Sequence, residues 1–127
     1  MKIINIEKLD GHKTIVLTGR NENVMAIAKH LKAILHYAPR DTDYFEDYPM
    51  VAKELKETVD NMRNLDRVII ITSQSEEFLD CLLQSELDFV LATVRKDSKE
   101  EDLYRLRVIT KEDAWANRCA FHFELRR

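Results

Sequence analysis

The run Arg67-Val68-Ile69-Ile70-Ile71-Thr72 constrains the fold more than any other stretch of this chain. Four consecutive apolar β-branched residues, Val68 to Ile71, leave no polar side for water, so a strand built from them is buried on both faces. That happens when helices cover a sheet from both sides, the setting of a mainly parallel α/β sheet. The run is therefore expected to be a central strand of a three-layer α/β sandwich. Residues 15–18 should lie parallel to it, because both segments feed helices from their C-terminal ends.

The rest of the chain fits round that strand as one domain, 1–127, long enough to bury a core without disulfides or metals. Residues 2–9 alternate as a half-buried strand. Asp10-Gly11 supplies a turn, so an N-terminal β-hairpin with 13–18 is expected. A helix over 24–35 places Val24, Ile27, Ala28, Leu31, Ile34 and Leu35 on one side, with Asn21 or Asn23 as its cap. Pro49 suits the first turn of a second helix, running to about residue 64 with Val51, Leu55, Val59 and Met62 inward. Ser73 with Glu76 reads as a capping box for a helix over 76–84. Residues 89–94 and 103–109 alternate on either side of a charged turn and predict a C-terminal antiparallel hairpin. Thr110 and Asp113 predict a capped last helix, and 121–125 a closing strand.

Composition narrows the functions. Charged residues are 34% of the chain and the net charge is -3, so direct nucleic-acid binding is not expected from overall charge. Arg118 with Arg126-Arg127 is a basic patch better read as a solvated tail. No apolar run reaches the ~20 residues of a membrane helix, and the first residues lack the apolar core of a signal peptide. Cys81 and Cys119 form neither a disulfide framework nor a zinc cluster. A reducing, cytoplasmic setting follows.

Leu17-Thr18-Gly19-Arg20-Asn21-Glu22-Asn23 lies between a strand and a helix, the frame in which nucleoside triphosphates are held. The phosphate-loop pattern G-x-x-x-x-G-K-S/T laid on Gly19 puts Val24, Met25 and Ala26 at the second glycine, the lysine and the hydroxyl. All three positions fail. The chain has only two glycines, Gly11 and Gly19, so no other loop can wrap a phosphate closely. The four histidines are scattered without zinc spacing. The acidic run Asp41, Asp43, Glu46, Asp47 lacks the glycine and terminal glutamate of a calcium loop. No catalytic residue, metal or cofactor is expected. The turns at Gly19, Asn21, Asn23 and at Ser73, Gln74, Ser75 are the candidate nucleotide- or anion-binding positions.

Three segments together, LTGRN at the loop position, DTDYFEDYP before an amphipathic helix, and VIIITSQSEEFLD, resemble the compact core of RecF-like and OLD-like ABC-class ATPases of the AAA family. The closing pair DFVLATVRK and LYRLRVI is similar to that family's last hairpin. The resemblance implies a P-loop-NTPase-like fold. It also places Met25 where the family has its phosphate lysine, Ala26 at the magnesium hydroxyl, Thr42 at the catalytic glutamate and Gln74 at the switch histidine. With those positions lost, the chain is expected to be a non-catalytic ATPase-like module that binds a protein partner, a related ATPase among the candidates. The alternative is a small nucleotide- or anion-binding protein using the 19–23 or 72–75 turn. The expected partner is basic, because Tyr44, Phe45 and Tyr48 are aromatic anchors set among carboxylates; Trp115 is a further anchor.

Overall fold

A computed structural model describes residues 1–31, 35–37, 47–63, 66–72 and 75–117. The chain forms β1 (Lys2–Ile4), a 3-10 turn (Ile6–Leu9), β2 (Thr14–Gly19), α1 (Asn21–His30), β3 (Leu35–Tyr37), α2 (Tyr48–Asp60), β4 (Val68–Ile71), α3 (Glu76–Gln84), β5 (Val90–Lys96), β6 (Leu103–Thr110) and α4 (Lys111–Ala116). The six strands make one mixed sheet in the order β1-β6-β5-β2-β4-β3. β4 is parallel to both β2 and β3, and β2 is parallel to β5. β5 and β6 form the expected antiparallel hairpin.

Helices cover the sheet on both sides, which is why β4 tolerates its apolar run. Val16, Val68, Ile70 and Leu91 face α2, α3 and α4, together with Leu55, Phe78 and Leu82. Ile15, Leu17, Ile69 and Ala92 face the opposite way, toward Val24 and Ile27 of α1 and Leu9 of the 3-10 turn. All four residues of β4 are buried. Each fully buried Ile or Leu contributes roughly 1.5–3 kcal/mol relative to exposure, so these two clusters hold the three layers together.

The N-terminal hairpin does not form. β1 pairs with β6, in parallel, at the far edge of the sheet, and β2 lies between β5 and β4. The alternation of residues 2–9 breaks at Asn5, whose φ of 71° is left-handed and whose amide donates to the Leu106 carbonyl at 3.1 Å. One 3-10 turn follows and seats Leu9 fully in the core. The first helix also ends earlier than its apolar spacing suggested. It stops at His30, and Leu35–Tyr37 is a strand paired with Val68–Ile70 of β4. Its N-cap is Arg20 without a side-chain cap, in place of Asn21 or Asn23. The N-cap of α3 is Ser75 where Ser73 was expected, because Ser75 Oγ reaches the Phe78 N–H at 3.1 Å. Thr110 caps α4 through the Asp113 N–H as expected. The closing strand expected over 121–125 lies outside the described residues.

Candidate functional site

The first candidate is the junction between β2 and α1. A phosphate loop needs several residues between strand and helix whose N–H groups turn toward the ligand. Here β2 ends at Gly19 and α1 begins at Asn21, leaving Arg20 as the whole connection. The N–H groups of Asn23 and Val24 already donate to the Arg20 carbonyl at 3.0 Å. Val24 is fully buried, and Met25 and Ala26 pack against the same core. The residues that would form the cradle are thus the first turns of a packed helix. Gly19 has a separate reason to be glycine. Its φ is +136°, and a Cβ there would stand 2.6 Å from the Val94 carbonyl oxygen of β5. The glycine lets two parallel strands approach; it does not shape a ligand loop.

The second candidate is the turn between β4 and α3. Thr72 is buried, and its Oγ1 donates to the Leu17 carbonyl at 3.3 Å. Ser75 is also buried, and its hydroxyl faces inward to cap α3 and meet the Tyr48 hydroxyl at 3.1 Å. Ser73 and Gln74 lie outside the described residues. α1 and α3 leave their strands toward opposite faces of the sheet. The carboxyl ends of β2 and β4 therefore form a topological switch point, the place where open α/β sheets receive ligands.

Tyr48 corrects the aromatic-anchor expectation. Only 5% of it is exposed, and its ring stands edge-on to Phe78, centroids 5.2 Å apart at 70°. Opening α2 at Tyr48 turns the ring under the helix, where Ser75 satisfies the hydroxyl that burial would otherwise strand. It ties α2 to α3 and is not an exposed anchor. Tyr44 and Phe45 lie outside the described residues. Trp115 is 39% exposed on α4.

Among the described residues lies a concave surface that no motif announced. A groove of about 690 Å³ runs between α2 and α3. Tyr48, Pro49, Ala52 and Cys81 give it an apolar floor. Lys53 and Lys56 line the α2 wall, and Glu77, Asp80 and Gln84 the α3 wall. Lys56 donates to Asp60 at 2.7 Å, and this hydrogen bond, with the charge of Asp60, holds its ammonium above the ordinary lysine range. Burial pushes the Cys81 thiol up, which disfavours the thiolate.

Ser85 and Glu86 close one end of the groove. That end is held by Lys111, whose Nζ donates to the Ser85 carbonyl and, at 2.6 Å, to the Leu87 carbonyl. The same ammonium lies 5.4 Å above the Phe89 ring. Burial lowers the Lys111 pKa, the charges of Asp88 and Glu112 opposing that shift. Glu86 also borders a second hollow of about 420 Å³ walled by Leu83, Lys111 and Trp115. Groove and Trp115 hollow therefore share Glu86, beside the turn that Lys111 holds after α3. The signal that could have found this surface is the pair of amphipathic helices, each with charged residues flanking its apolar stripe.

Among the described residues no group of three or more His, Cys, Asp or Glu side chains could hold a metal ion. No described helix is long and apolar enough to cross a membrane. No family model matches the chain, and no curated protein or solved structure matches it either.

Proposed function

We propose that the chain is a non-catalytic interaction module of the cytosol, which docks a helical segment of a protein partner in the α2–α3 groove. The observation that carries this reading is the groove itself, an apolar floor between a lysine wall and a mainly acidic wall. An amphipathic helix laid into such a groove buries its apolar stripe on the floor. Its acidic flank would meet Lys53 and Lys56, and its basic flank Glu77 and Asp80. The basic partner expected from the sequence becomes, in this proposal, a partner with one basic flank. The ATPase-like ancestry is part of the same proposal. Its support is the parallel pair β2 and β4, each running into a helix, and a related ATPase is the first partner to try.

The alternative, a nucleotide- or anion-binding protein, draws on one observation, the switch point between β2 and β4. Two measurements separate the readings. The immobilised chain should retain its partner from extract, and the double variant Lys53→Glu with Gln84→Arg should lose it while melting at the same temperature, since Lys53 and Gln84 are exposed. Retention by that variant contradicts the groove. Millimolar Mg-ATP should leave the melting temperature unchanged. Binding at one hundred times Kd would add about 2.7 kcal/mol, and such a shift would favour the alternative.

A further inference from the structure

The two walls of the groove carry opposite charge, and each wall is made by one helix. α2 contributes Lys53 and Lys56, the two basic residues of that helix. Its carboxylates, Glu54, Glu57 and Asp60, do not line the groove. α3 contributes Glu77 and Asp80 and contains no basic residue. None of the ion pairs among the described residues crosses from one wall to the other. Lys56 pairs with Asp60 on its own helix. Lys53 and Glu77, both exposed, belong to no ion pair among the described residues. A surface whose positive and negative sides are held apart in this way matches a copy of itself turned over.

Two-fold symmetry imposes one rule on such a contact: residue i of one copy meets residue j of the other, and j meets i. An axis across the groove would lay α2 on α2 and α3 on α3, like charge on like. An axis along the groove lays α3 of each copy over α2 of the other, and both sets of charges are then opposed. The heights agree as well. α2 and α3 run in the same direction, because each leads into a strand of one parallel set. The contact of 3.1 Å between the Tyr48 and Ser75 hydroxyls brings their first turns roughly level. Lys53 lies five residues past Tyr48, and Glu77 two past Ser75. At roughly 1.5 Å per residue that offset is about 4.5 Å, within the reach of a lysine side chain. Rotation about an axis along the groove preserves height, so the same offset holds between copies. Met50, 55% exposed one turn before Lys53, brings apolar surface to the contact.

We propose that a second copy of this chain docks on the groove, α3 of each copy over α2 of the other, as a two-fold dimer. The inference rests on the reading of the groove as a helix dock and names the helix that enters it. α2 has 13 residues, so a face two helices wide is about 20 Å long and covers roughly 400 Å². A standard interface buries about 800 Å² per partner. The dimer is therefore weak and concentration-dependent, and salt weakens it further.

The test is sedimentation equilibrium of the full chain from micromolar to millimolar concentration. Wild type should pass from monomer to dimer, and at lower concentration in low salt than in high. Lys53→Glu and Glu77→Lys, each alone, should weaken the dimer about tenfold, because symmetry turns two attractions into two repulsions. An equimolar mixture of the two variants should recover the wild-type dimer, since every reversed charge again faces its opposite. That recovery also shows both variants to be folded. Lys29→Glu, on α1 across the sheet, should dimerise like wild type. A dimer indifferent to both reversals, or reversals that mixing does not rescue, overturns the proposal. A chain that stays monomeric throughout also overturns it; if Lys53→Glu with Gln84→Arg still abolishes retention of a partner from extract, the groove reading stands without it.

Discussion

At the residue scale, Gly19 shows how a motif position can be right about the backbone and silent about the ligand. Its left-handed φ and its contact with the Val94 carbonyl demand glycine for packing alone. Gly19→Ala should cost roughly 1–3 kcal/mol for the backbone conformation, and more as β5 is pushed aside. Gly11 also has a positive φ, +81°, but a Cβ there meets nothing within 4 Å. Gly11→Ala should therefore cost about 1 kcal/mol. Urea denaturation of the two variants checks this, and equal losses would show that the approach of β2 to β5 does not matter. The glycine was legible in the sequence. Its reason was not, because Val94 is 75 residues away and enters only through the parallel register of β2 with β5.

At the scale of elements, α2 and α3 are fastened together by one side chain at the start of each. Tyr48 opens α2, Ser75 caps α3, and their hydroxyls meet beside Phe78. Tyr48→Phe should lose about 1 kcal/mol, the net worth of a hydrogen bond. Ser75→Ala should lose about 1–2 kcal/mol as the cap disappears, and Tyr48→Ala about 3–5 kcal/mol. Thermal and urea melts decide it; a near-neutral Tyr48→Ala would return Tyr48 to the surface. Elements with a strong local signal were readable: the β-branched run of β4, the α3 stripe, and the Thr110 cap. β3 was not, because three residues carry no periodicity and Leu35 continues the apolar spacing of α1. The N-terminal hairpin failed for a related reason. A turn signal at Asp10-Gly11 names a reversal, but pairing is decided by which edge is open, and β6 offered it to β1.

At the scale of the whole molecule, the helical layer carries the α2–α3 groove, and the strand ends at β2 are closed by the chain's own helix. Little of the candidate site could be read from sequence, since the groove's lining comes from residues about 30 apart whose neighbourhood exists only after α2 and α3 pack. Docking in that groove is the central claim, and a photocrosslinking amino acid tests it most directly. Placed at Gln84 on the groove wall, it should give one discrete adduct with the partner in extract, and Lys53→Glu in the same chain should abolish it. Placed at Lys29, exposed on α1 across the sheet, it should give none. The same adduct from both positions, or none from Gln84, would contradict the account.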